Sequence, residues 1–200
     1  VANAVPLDHQ ALFDDVIAVA RKAHAATAGW RAICVRAQRS VGKKVVQPLS
    51  ALDLDEELPA LSDRVRMIAR KAPGVVDTLV FGLFDGVDDD GSGIYTGYHL
   101  GGTHDFDPEA RRLPKSPIWL PEDRFLESAA LDAIARAGTI ARGEAKKAVT
   151  HTLRFGAAAL LSRFAADGLP YRVVVTFDEG DFAEISAGGA RSSTNPRRSV

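Results

Sequence analysis

The run Gly97-Tyr98-His99-Leu100-Gly101-Gly102-Thr103-His104-Asp105-Phe106-Asp107 holds the densest set of chemically capable side chains in this 200-residue sequence. Two imidazoles and two carboxylates lie close enough along the chain to converge on a divalent ion such as Zn, Mn or non-haem Fe. In that arrangement His99, His104 and Asp107 are the ligands, and Asp105 is a catalytic base or supports the ligands from behind. The spacing follows neither the His-Glu-x-x-His nor the paired-Cys metal signatures, and Asp-Phe-Asp-Pro serves equally well as a turn. Gly97 and Gly101 flank His99 on one strand face and leave bare backbone that would admit a small ligand or a close-packed helix.

A second feature is acidic. Asp85-Gly86-Val87-Asp88-Asp89-Asp90-Gly91-Ser92-Gly93 crowds carboxylates between two strand-like runs. Placing Gly91 at the glycine position of a calcium-binding EF-hand loop leaves Gly86 and Gly97 where oxygen ligands are needed, so that motif fails. A dinucleotide-binding reading of Gly91-Ser92-Gly93 also fails, because three aspartates precede it and a strand follows it. An exposed carboxylate tip does create a negative potential that steers a basic partner, through Asp85, Asp88, Asp89 and Asp90. Arg111 and Arg112, in the long Pro-rich stretch 104–122, are the neighbouring residues able to touch the same partner. His151 falls mid-helix, two turns from Glu144 on about the same face, where it could supply a further base.

Composition narrows the function classes. The 25 Lys+Arg nearly cancel the 26 Asp+Glu, for a net charge of −1, whereas nucleic-acid surfaces are distinctly basic. With Arg191, Arg197 and Arg198 of the Ser/Gly/Arg tail set aside, residues 1–186 carry a net charge of −4. No apolar run reaches a membrane span, no basic-then-apolar leader opens the chain, and the single Cys34 cannot form an internal disulfide. The expectation is a cytoplasmic protein with no nucleic-acid or membrane partner. Richness in Ala, Arg, Asp and Gly with a single Met suits a GC-rich bacterial gene.

The elements that must position these residues follow from periodicity. Asp8 caps a helix expected to run to Ala28, closed by Gly29, and Trp30–Arg39 alternates as a strand that Val45–Gln47 would return to pair. A second helix over Asp53–Lys71 carries its acids in the first turn, and Val75–Phe84 with Ile94–Thr103 forms a hairpin. Helices near 122–137 and 144–167 precede a hairpin of Tyr171–Phe177 and Phe182–Ile185. Three helix–hairpin units then predict one α+β domain over 1–186, with a largely antiparallel sheet of about six strands. Helices would pack mainly on one face, and the 187–200 tail would be disordered.

These features favour a protein-binding domain of the inhibitor or immunity type, using the acidic tip and adjoining loop against a basic protein surface and needing no cofactor. The alternatives are a metal-dependent hydrolase or oxygenase centred on His99, His104 and Asp107, and a small-molecule sensor using the backbone at Gly97 and Gly101.

Overall fold

The computed structural model describes residues 8–87, 94–104, 106–107, 119–177 and 182–186. Two helices open the chain, α1 (His9–Lys22) and α2 (Ala26–Val41), followed by a single-turn α3 (Lys43–Val46) and then α4 (Leu58–Ala69). The hairpin β1 (Thr78–Val87) and β2 (Ile94–Thr103) comes next, then a two-residue strand β3 (Phe125–Leu126). Helix α5 (Ala129–Ile140) and α6 (Gly143–Ala148) lead through a π-turn at Val149–Leu153 into α7 (Arg154–Ala165). The chain then forms β4 (Arg172–Phe177) and β5 (Phe182–Glu184).

The described strands make one mixed sheet in the order β3-β2-β1-β4-β5. Both hairpins are antiparallel, but β4 lies parallel to β1, from Thr78↔Arg172 to Leu83↔Phe177. The α+β class stands, while six largely antiparallel strands in three helix–hairpin units do not. The first hairpin is absent because residues 30–41 and 43–46 are helical, and the last enters beside β1 through the crossover that α5–α7 provide.

The Trp30–Arg39 segment fits both periods. Its burial resolves the ambiguity: Trp30, Ile33, Cys34 and Ala37 are buried at i, i+3, i+4 and i+7, while Val35 is 54% exposed. Gly29 does not stop the preceding helix but lies inside α2, where a Cβ would stand 2.6 Å from Leu160 Cδ2. It is the contact point of α2 with α7. Burial of the Cys34 thiol pushes its pKa up to about 12, so it acts as a small apolar residue rather than a nucleophile.

Two of the acids expected in the first turn of a 53–71 helix, Asp55 and Glu57, instead cap other helices, and α4 begins only at Leu58. The Asp55 carboxylate accepts from the Ala26 and Thr27 amides at 3.0 and 3.3 Å, at the start of α2. Glu57 accepts from the Ala129 amide and the Ser128 hydroxyl at the start of α5. Asp53 accepts from the Thr27 hydroxyl at 2.6 Å, and that bond holds its pKa below the ordinary carboxylate value. Because Ala25 offers no side-chain cap of its own, Asp55→Ala should cost about 1 kcal/mol. Urea unfolding measures this, and an unchanged midpoint would remove Asp55 from the capping role.

Helix α7 lies across β1 and β4, and α5 lies on β2. Leu79, Phe81 and Leu83 from β1, Tyr98 and Leu100 from β2, and Val173, Val175 and Phe177 from β4 join the helices in one core. Inside it the Tyr98 and Ser162 hydroxyls bond each other, and desolvation drives the Tyr98 phenol well above its usual pKa. The opposite sheet face carries Val80, Gly82, Phe84, Gly97 and His99, in register with Val174 and Thr176.

Candidate functional site

Strands β1 and β2 pair over their full ten-residue lengths, but their neighbours are shorter. Pairing with β4 ends at Leu83, and β3 pairs only with Tyr98 and His99. Among the described residues, the four rungs from Phe84↔Gly97 to Val87↔Ile94 therefore have no strand on either side. At about 3.3 Å per residue they form an arm about 13 Å long. It leads into the connection bearing Asp88, Asp89 and Asp90.

The base of the arm is clamped from the helix side. Asp85 and Thr96 stand opposite each other on the rung after Phe84↔Gly97. Arg154, at the start of α7 and 5% exposed, donates through Nη1 to the Asp85 carboxylate and to Thr96 Oγ1, the latter at 3.2 Å. Its guanidinium carbon lies 4.9 Å over the Phe177 ring, whose other neighbours include His151 at 4.7 Å and Phe155. Nε of Arg154 is buried with no hydrogen-bond partner among the described residues. The side chain of Asp85 stays 60% exposed even while paired. One guanidinium therefore ties both strands of the arm to the helix layer.

On the other face the rings lie flat on glycine. A Cβ at Gly97 would fall 2.0 Å from Phe84 Cζ, and one at Gly82 would fall 2.1 Å from His99 Cε1. The Phe84 ring centroid is 5.9 Å from that of His99 and 6.1 Å from that of Phe125. Phe125 is 53% exposed, and the Arg124 guanidinium lies 4.7 Å over its ring. The three rings cluster at the root of the arm, Phe84 tilted by 47° against His99 and edge-on, at 66°, to Phe125. Gly97 is therefore not the bare backbone expected of a sensor pocket, because Phe84 occupies that space.

Of the expected site residues, Asp85, His99, His104 and Asp107 are described. Asp85 belongs to β1 rather than to the loop, and Arg154 engages its carboxylate. Asp88, Asp89, Asp90, Asp105, Arg111 and Arg112 lie outside the described residues. His99 sits half-buried beside Phe84, and His104 and Asp107 are exposed beyond the end of β2. Among the described residues, no three His, Cys, Asp or Glu side chains form a group able to hold a metal ion. His151 and Glu144 do not act together: His151 stacks on Phe177, while Glu144 bonds His9 at 2.5 Å and Lys147 at 3.0 Å. Those two bonds lower the Glu144 pKa.

Two open clefts lie toward the opposite end of the sheet. One, of about 210 Å³, is lined by Arg66, Arg70 and Tyr171. The other, of about 360 Å³, is lined by Lys71, Trp119 and Asp123. In the second, the Lys71 ammonium bonds Asp123 at 2.7 Å and holds its pKa below the ordinary value. Neither cleft adjoins the arm.

Sequence reasoning missed Arg154, Phe84 and Phe125. Arg154 carries no local signal, being one arginine in an Ala-rich helix. Phe84 and Phe125 have a faint one, aromatic residues beside strand glycines, which becomes legible only with the register. No described helix is long and apolar enough to cross a membrane. Comparison with protein-family models, curated proteins and solved structures returns no match to this chain.

Proposed function

We propose that this chain is a protein-binding domain that docks a basic surface of a partner protein against the arm end of its sheet. The observation that carries this reading is the parallel pairing of β1 and β4. Parallel neighbours point to the same end of the sheet, where β4 is followed in sequence by Asp178, Glu179 and Asp181 and β1, four rungs beyond its last pair with β4, by Asp88, Asp89 and Asp90. Neither connection contains a Lys, Arg or His. Acidic residues following two strands that point the same way give that end of the sheet one sign of charge, which accelerates encounter with a cationic surface. An inhibitor or immunity-type role, in which such a surface covers the cationic site of another protein, fits this reading and a mildly acidic body.

The test begins with the chain as bait in extracts of its host, followed by association kinetics of the purified partner at low and high salt. The association rate should fall steeply with salt. Changing Asp88, Asp89 and Asp90 together to Asn should slow association about tenfold and flatten that dependence. The matching change at Asp178, Glu179 and Asp181 should do the same. Unchanged kinetics in both variants would rule the arm end out.

A further inference from the structure

We propose that the cleft between the end of α4 and the segment leading into β4 binds a phosphomonoester carried on a small aromatic body. The site lies apart from the arm and does not depend on the protein-binding reading.

The cleft, of about 210 Å³, is lined by Arg66, Ala69, Arg70, Leu169, Pro170 and Tyr171. Residues 64–71 carry cations on two faces of the helix, and the two faces are used unequally. Arg64 and Lys71 stand two turns apart, and both reach the Asp123 carboxylate. Arg66 and Arg70 stand one turn apart, both exposed, and neither guanidinium bonds another group among the described residues. Two like charges at this spacing repel. A dianion between them turns that repulsion into two charge-assisted contacts, because each planar fork matches phosphate oxygens. A phosphomonoester carries nearly two negative charges at neutral pH, whereas a carboxylate supplies one. The carbonyls at the end of α4 do not oppose it unmet, since those of Ile68 and Ala69 accept from the Lys71 and Ala72 amides at 2.9 and 3.1 Å. The rest of the lining has a different chemistry. Ala69 is 3% exposed, and Leu169, Pro170 and the Tyr171 ring extend the apolar surface. The Tyr171 hydroxyl donates to the Ala69 carbonyl at 3.4 Å, which engages its polar atom with the helix end. A cavity of about 150 Å³ holds a benzene ring, so this cleft has room for one ring beside the anion.

The experiment titrates phenyl phosphate into the full chain, with inorganic phosphate and phenol as separate arms, and follows the arginine Nε–Hε signals by NMR. Phenyl phosphate should saturate, shift the Arg66 and Arg70 signals, and bind about tenfold more tightly than inorganic phosphate. Phenol should not saturate over the same range. Arg66→Gln and Arg70→Gln should each weaken phenyl phosphate about fivefold. Arg39→Gln, which removes the same charge from the exposed end of α2, should leave it unchanged. All three positions are exposed, and circular dichroism confirms that the fold is kept. Failure of phenyl phosphate to saturate would overturn the proposal. So would an Arg39→Gln effect as large as that of Arg66→Gln, which would reduce the binding to overall charge. Inorganic phosphate binding as tightly as phenyl phosphate would overturn it as well, since no aromatic body would then be selected. Each of these results leaves the arm end untouched, because that reading is tested at Asp88, Asp89 and Asp90.

Discussion

Asp85→Ala is expected to destabilise the protein more than Arg154→Met, although the two side chains form one ion pair. The reason is their unequal burial. Removing Asp85 leaves a guanidinium that is nine-tenths buried, its Nε already without a partner among the described residues and its remaining described contacts being Thr96 and the Phe177 ring. Stranding a charge in a fully buried pair costs about 3–5 kcal/mol. The carboxylate here is 60% exposed, so its share of the pairing is screened, and the expected loss is about 2 kcal/mol. Removing Arg154 frees a carboxylate that can hydrate, and it relieves the desolvation of the guanidinium. Methionine fills most of the vacated volume against Phe177, so the loss should stay near 1 kcal/mol or below. The double variant should resemble Arg154→Met. Urea unfolding of the three variants measures the order, and Arg154→Met emerging as the more damaging change would mean that the clamp is not held this way.

Gly97→Val should be the most damaging change on the opposite face. Valine is a good strand residue, so propensity alone predicts a small gain. The structure predicts the reverse, because a Cβ at that position would overlap the Phe84 ring at 2.0 Å. The ring must swing off the sheet, losing its packing against His99 and Phe125 and exposing apolar area, at a cost of about 1–3 kcal/mol. Paired with Phe84→Ala, Gly97→Val should become nearly neutral, as the obstacle is gone. A Gly97→Val single variant as stable as the wild type would show that the ring does not depend on that glycine.

What could be read from residues alone was local. The β1–β2 hairpin is announced by the β-branched and aromatic runs on either side of a Gly/Asp stretch, and the two β4–β5 segments by Val173–Val175 and the Glu179-Gly180 turn. Both are antiparallel pairs of neighbours in the chain, and such pairs need little besides alternation and turn chemistry. The apolar stripe of α1 is legible for the same reason. Asp8 caps it as expected by accepting from the Ala11 amide at 2.9 Å, but the helix closes at Lys22.

Everything that required knowing what stands next to what was decided by the tertiary structure. Residues 30–41 satisfy a strand period and a helix period about equally, and packing against Leu160 through Gly29 settles the matter in favour of a helix. Asp55 and Glu57 look like acids for their own helix, yet each serves the start of another. A capping residue needs only a nearby amide, not a sequence neighbour. The Arg154–Asp85 clamp joins residues 69 positions apart, and the parallel entry of β4 beside β1 depends on a crossover of helices that no local pattern encodes. Local periodicity constrains how one segment folds. It carries no information about which two segments meet, because that choice is made by burial summed over the whole chain.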